Sequence, residues 1–140
     1  MTTAPLLDTH AWIWWVARDS RLSNTTLVAL DSLAADDRPF LSDISLLEVA
    51  LLVGRRRLTL AVPFDEWLET AAHPRSVRVV AISPVIAAGV PSLTGSFRDP
   101  ADRVIVATCR ALDAPLLTRD AVIVRSRLVK RWSPPKAERI

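Results

Sequence analysis

The sequence predicts an α/β fold, a single domain with a mainly parallel sheet flanked by helices. Two patterns and one bound lead there. Four apolar runs are too short for helices and read as buried strands, and segments of helical spacing fill the gaps between them. Repeated alternation of this kind packs as parallel strands joined by crossover helices. The bound is size: 140 residues, half of them apolar, with positive mean hydropathy, can bury one real core and are poor material for a disordered chain.

In chain order, APLL at residues 4–7 is the first strand, and Asp8 precedes a helix from Thr9 to Ala17. A second helix spans about Thr25 to Ala35. PFLS, ending at Ser42, is the second strand, followed by helices at Ser45 to Arg56 and Phe64 to Ala72. VRVVAI, before Ser83, is the third strand, and a short helix follows Pro84. The helix from Pro100 to Leu112 has the clearest local reason. Asp99 suits its N-cap, Pro100 its first position and Asp102 its third, where a negative charge faces unpaired backbone N–H groups. Val104, Ile105, Cys109 and Leu112 keep helical spacing along its buried face. APLLT, ending at Thr118, is the last strand. The domain covers residues 1–132, and residues 133–140, with Pro134 and Pro135, form a loose basic tail.

Composition narrows the function classes. The lone Cys109 sits in an apolar helical pattern, cannot form an internal disulfide and is expected to fill space in a reducing compartment, the cytoplasm. No charged leader precedes the first apolar stretch, which Asp8 and His10 interrupt, so no signal peptide is expected. The uncharged run from Val79 to Phe97 is long enough to suggest a membrane span, but Pro84, Gly89, Pro91 and Gly95 break it, and no membrane partner is expected. A net charge of +3 permits a polyanionic partner without demanding one. Basic residues cluster at Arg55–Arg57 and again from Arg125 through Arg127, Lys130, Arg131, Lys136 and Arg139, which alone could be a solvated tail. Trp12, Trp14 and Trp15 form a run apolar on more than one helical face, to be absorbed by the core or covered by a partner.

Ligands of such sheets sit outside the carboxyl ends of the strands, where loops turn into helices. Asp8 follows the first strand, Asp99 and Asp102 open a helix, and Asp120 follows the last strand. Glu48 lies early in a helix among Leu46, Leu47, Val49, Leu51 and Leu52, where a carboxylate is expensive to bury unless a cation meets it. Each acid has a plain local use. Asp8 and Asp120 can cap helices, and Ser45 with Glu48 matches the S-x-x-E capping box. Four caps need not converge, whereas a divalent metal site requires several oxygen ligands to do so. His10 and His73 suit surface or packing roles better than catalysis.

The segments LLDTHAWIWW, ISLLEVALL, RDPADRVIVATC and PLLTRD resemble, in this order and spacing, the PIN domain of VapC-like toxins from bacterial and archaeal toxin–antitoxin pairs. The resemblance runs from about Leu6 to Trp132. It implies that Asp8, Glu48, Asp102 and Asp120 form the acidic quartet around Mg²⁺ or Mn²⁺, that Thr118 is a hydroxyl supporting the last acid, and that Asp99 is an accessory acid whose role as a cap comes first. Leu47 departs from the Trp that often precedes the Glu, and Cys109 from a usually small residue. The implied function is a metal-dependent endoribonuclease toxin cutting RNA by metal-activated water. The implied partners are an RNA substrate, a cognate VapB-like antitoxin and a second copy of the chain in a homodimer.

Three other readings fare worse. A receiver-type signalling domain needs adjacent acids after the first strand, and a haloacid-dehalogenase-type phosphatase needs D-x-D, but Thr9 and His10 follow Asp8. A non-catalytic PIN-like module for RNA binding or protein interaction is the main alternative, and its expected mark, loss of a metal acid, is not found here.

Overall fold

The computed structural model describes residues 4–135. Four strands, β1 (Leu6–Leu7), β2 (Phe40–Ser42), β3 (Arg78–Val80) and β4 (Leu116–Leu117), alternate with seven helices among these residues. The helices are α1 (Thr9–Ala17), α2 (Asn24–Asp31), α3 (Asp43–Gly54), α4 (Phe64–Ala71), α5 (Pro84–Gly89), α6 (Pro100–Leu112) and α7 (Ala121–Ser126), with two short 3₁₀ turns at Ala35–Asp37 and Pro91–Leu93. The strands lie in the order β3-β2-β1-β4, and every pairing is parallel, with Leu6 opposite Phe40 and Leu116, and Leu41 opposite Val79.

Successive strand residues point to opposite faces, and the core divides accordingly. Leu7, Leu41 and Leu117 face one layer with Trp12, Leu27, Leu30, Val49 and Ala71. Leu6 and Leu116 face the other, with Ile86, Phe97, Ile105, Cys109 and Ile123. Strands buried on both faces explain runs of leucine without polar alternation. Trp12 is fully buried; its Nε1 donates to the Ala71 carbonyl at 2.9 Å, and its ring meets Trp67 edge-on at 5.0 Å between centroids.

The structure departs from the sequence expectations in four places. Helix α2 stops at Asp31, because the Ser32 hydroxyl donates to the Val28 carbonyl and Ala34 is extended. Helix α3 starts two residues early, with Ser42 as N-cap accepting from the Ile44 N–H at 3.2 Å. The Ser45–Glu48 capping box therefore does not form. Helix α7 was not anticipated, since AVIVRS is short and β-branched and shows no full helical period. Finally, the basic stretch from Arg125 is no solvated tail as far as Trp132. The Leu116 N–H donates to the Lys130 carbonyl and the Trp132 N–H to the Leu116 carbonyl, both at 2.8 Å, so Arg131 bridges to β4 in parallel and covers the sheet edge. Of the expected tail, residues 133–140, the last five, 136–140, lie outside the described residues.

The uncharged run 79–97 resolves into the end of β3, α5 and a 3₁₀ turn. Among the described residues no helix is long and apolar enough to cross a membrane.

Candidate metal centre

Strands β1 and β4 are neighbours and end side by side, with the Asp8 N–H donating to the Leu117 carbonyl at 3.1 Å. Each strand then delivers an acid. Asp8 caps α1, its Oδ1 accepting from the Ala11 N–H at 2.7 Å. Its Oδ2 accepts a short hydrogen bond from the buried Thr118 hydroxyl. The same Thr118 oxygen accepts from the Asp120 N–H at 3.0 Å. Thr118 thus gives its proton to the first acid and holds the last through the backbone, a wider role than support of Asp120 alone. Asp120 caps α7, accepting from the Val122 and Ile123 N–H groups at 2.9 and 3.0 Å.

Glu48 arrives from the next layer. Buried Ser45 shares a 2.8 Å hydrogen bond with the Thr9 hydroxyl, pinning α3 to α1. Positions three apart lie on one helix face, so the contact that turns Ser45 toward α1 turns Glu48 the same way. Helix α6 packs on α3 and β2 and brings Asp102 in its first turn, with Asp99 as its cap accepting from the Ala101 N–H at 2.9 Å.

All five acids line one pocket of about 250 Å³. Capping accounts for Asp8, Asp99 and Asp120, as local reasoning expects. It does not account for Glu48 or Asp102, and no described residue donates a hydrogen bond or a cation to either. The electrostatics follow. Burial, then repulsion from Asp99, Asp120, Glu48 and Asp8, pushes the Asp102 carboxyl up to about 7. Asp8 is also raised, chiefly by burial, with Asp120 adding to the rise; the Thr118 and Ala11 hydrogen bonds and His10 oppose it. Like charges gathered this way raise each other's affinity for protons and, equally, for a cation.

The donor set is hard oxygen, which suits Mg²⁺ or Mn²⁺. Among the described residues no three His, Cys, Asp or Glu side chains stand close enough together to hold a metal ion as they are placed. Carboxylates that repel one another rest apart, and Mg²⁺ commonly keeps several waters while taking one or two carboxylates directly. The residues therefore fit a partly hydrated ion.

The fold is shared with known proteins. The sequence profile of the PIN domain family matches residues 6–127. The chain belongs to the PIN domain family. Ribonuclease VapC22 of Mycobacterium tuberculosis is 40% identical over 121 residues, which cover 86% of this chain and 88% of that protein. The crystal structure of FitAcB from Neisseria gonorrhoeae superposes with a TM-score of 0.66 at 26% identity, covering 92% of this chain and 96% of the other. A toxin–antitoxin complex from Klebsiella pneumoniae shares the fold, with a TM-score of 0.64 at 19% identity over 96% of this chain and all of that one.

Five further residues of this PIN domain line the pocket without having been singled out for it: Thr9, His10, Trp14, Ile105 and Arg119. His10 is exposed at the rim, 5.8 Å from the Trp14 ring. Its place two residues after Asp8, in the first turn of α1, was the available signal. The tryptophan run divides three ways. Trp12 is core, Trp14 is pocket wall, and half-buried Trp15 donates through Nε1 to Asp31 at 3.0 Å. Of the two expectations for this run, absorption by the core accounts for Trp12, with Trp14 and Trp15 packed against it. Burial pushes the Cys109 thiol far up, in keeping with a space-filling role.

Proposed function

We propose that this PIN domain is a metal-dependent endoribonuclease, the toxin of a toxin–antitoxin pair. The observation that carries the reading is Asp102, a half-buried carboxyl facing Asp8, Glu48, Asp99 and Asp120, with no ion pair to any cation among the described residues. Five acids around one pocket oppose an anionic substrate unless divalent cations intervene, and phosphodiester hydrolysis is the chemistry such cations serve. When bound, Mg²⁺ or Mn²⁺ would supply an activated water and stabilise charge developing on the phosphate and the leaving oxygen.

The chain's own part is positioning. Asp8, locked through both oxygens, is a ligand with little freedom; Asp102 and Glu48, with no hydrogen-bond partner among the described residues, can turn to the ion. Asp120 uses one oxygen in its cap and keeps the other. No side-chain nucleophile is needed, and the buried Cys109 thiol is no candidate for one. The relative named as a ribonuclease supports RNA as the substrate, and the toxin–antitoxin complex that shares the fold supports a cognate antitoxin. A homodimer is part of the same proposal, supported by Leu47 and Leu51, which stand one turn apart on α3 and are 54% and 46% exposed.

Cleavage by the purified protein tests the reading. Glu48→Gln and Asp8→Asn should each abolish Mg²⁺-dependent RNA cleavage while leaving the far-ultraviolet dichroism unchanged. Undiminished cleavage by both variants would overturn it. Co-expression with the product of the adjacent small gene should yield a complex that does not cleave RNA until the two are separated.

A further inference from the structure

Beside the acid pocket lies a second, larger depression of about 560 Å³ with the opposite charge. Arg21, Arg119, Arg131 and Trp132 line it, and among the described residues no acid does. Arg119 lines both depressions. The Arg21 guanidinium stands over Trp14 at 5.6 Å, and Trp14 is a wall of the acid pocket, so two of the three arginines stand at the junction.

These cations are held in place yet lightly neutralised. Arg119 donates through Nη1 to the Arg21 carbonyl, and Arg131 through Nη2 to the Thr118 carbonyl at 3.4 Å. Neither has a carboxylate within ion-pair distance among the described residues, while Arg21 has only Asp19 at 3.8 Å. A backbone carbonyl takes one N–H of a guanidinium and none of its charge, leaving a planar fork of donors free for an anion. Pairing of Arg131 and Trp132 with β4 fixes that side of the groove.

We propose that this groove binds the phosphate backbone of a single-stranded RNA segment adjoining the cleaved bond; the proposal rests on the ribonuclease reading and names where the substrate continues. A phosphodiester chain carries the same charge at every step. Where it crosses the acids it needs divalent cations, and where it leaves them it meets arginines, with Arg119 at the border. An acidic protein segment would suit the groove but has no comparable reason to continue into the acid pocket.

The test is binding of a fluorescein-labelled oligouridylate to the Asp102→Asn protein in EDTA, so that no cleavage intervenes, over a series of KCl concentrations. Each phosphate contact with a single strand contributes about 0.7 to the slope of log K against log salt concentration. Arg119→Gln and Arg131→Gln should each weaken binding and lower that slope by about 0.7, and the double variant by about twice as much. Arg131→Lys should restore the slope, and Arg55→Gln, the same charge change in the exposed cluster after α3, should leave it unaltered. Unchanged slopes in the groove variants, an equal loss in Arg55→Gln, no oligouridylate binding at all, or stronger binding of polyglutamate would each overturn the proposal. Absence of RNA cleavage by the unsubstituted protein in Mg²⁺ would instead overturn the ribonuclease reading, whatever the slopes.

Discussion

Replacing Asp102 by Asn should make the metal-free protein more stable at pH 8 while abolishing its cleavage of RNA. The Asp102 carboxyl rises from the ordinary 3.8 to about 7 in the folded protein. The folded state therefore binds more protons than the unfolded state between those values, and stability falls as pH rises through that window. At 1.36 kcal/mol per pH unit the full rise corresponds to about 4 kcal/mol, but Asp102 faces a solvated pocket, and screening reduces the working figure to about 1–2 kcal/mol. Against this, Asn gives up the favourable charge in the first turn of α6, about 0.3–1 kcal/mol. The penalty wins, and the net gain of about 1 kcal/mol corresponds to roughly 3–4 °C in Tm for a chain of this length. The assay is thermal unfolding of both proteins in EDTA across pH 4 to 8. The variant's advantage should be largest at pH 8, shrink below pH 7 and vanish near pH 4. Added Mg²⁺ should stabilise the unsubstituted protein more than the variant. A variant less stable at pH 8 in EDTA, or a difference independent of pH, would refute the electrostatic account of the pocket.

Thr118→Val keeps the shape but strips Asp8 Oδ2 and the Asp120 N–H of a shared partner, so urea unfolding should show a loss of about 1–3 kcal/mol, with Thr118→Ser restoring most of it. Trp12→Ala should cost about 3–5 kcal/mol by the same measurement, whereas Trp12→Phe, which loses the Nε1 bond to Ala71 and part of the buried ring, should cost about 1–3 kcal/mol. The Cys109 thiol should resist a colourless-to-yellow disulfide reagent in the native protein and react at once in denaturant; rapid native reaction would show that the α6 face opens.

Much of the fold was legible because strands buried on both faces leave a strong signal: short apolar runs between helical patterns. The acids at the ends of β1 and β4 followed from that alternation alone, since parallel strands must deliver their carboxyl ends to the same side. Glu48 stood out for a different reason, the cost of a carboxylate among leucines. The inference failed where tertiary contacts override local rules. Ser45 looks like a cap only until Thr9, 36 residues away, takes its hydroxyl, and Ser42 then caps α3 instead. Helix α7 was hidden because six β-branched-rich residues carry no period, and its stop signal is Arg127 in the left-handed region rather than a glycine. The docking of Arg131 on β4 depends on main-chain pairing, which the side-chain pattern of a basic segment does not reveal. His10, Trp14 and Arg119 were missed because pocket walls are set by the approach of α1 to the β4–α7 turn, a distance in space with no counterpart in spacing.

The central claim is that these acids hold a divalent cation on which RNA cleavage depends. Titration of Mn²⁺ by electron paramagnetic resonance, run beside the cleavage rate of EDTA-treated protein at each Mn²⁺ concentration, tests it most directly. A metal-dependent site should give no cleavage without metal, activity and bound Mn²⁺ rising together, and loss of both in Asp102→Asn and Glu48→Gln. Full cleavage in EDTA, or Mn²⁺ binding that both substitutions leave unchanged, would contradict it.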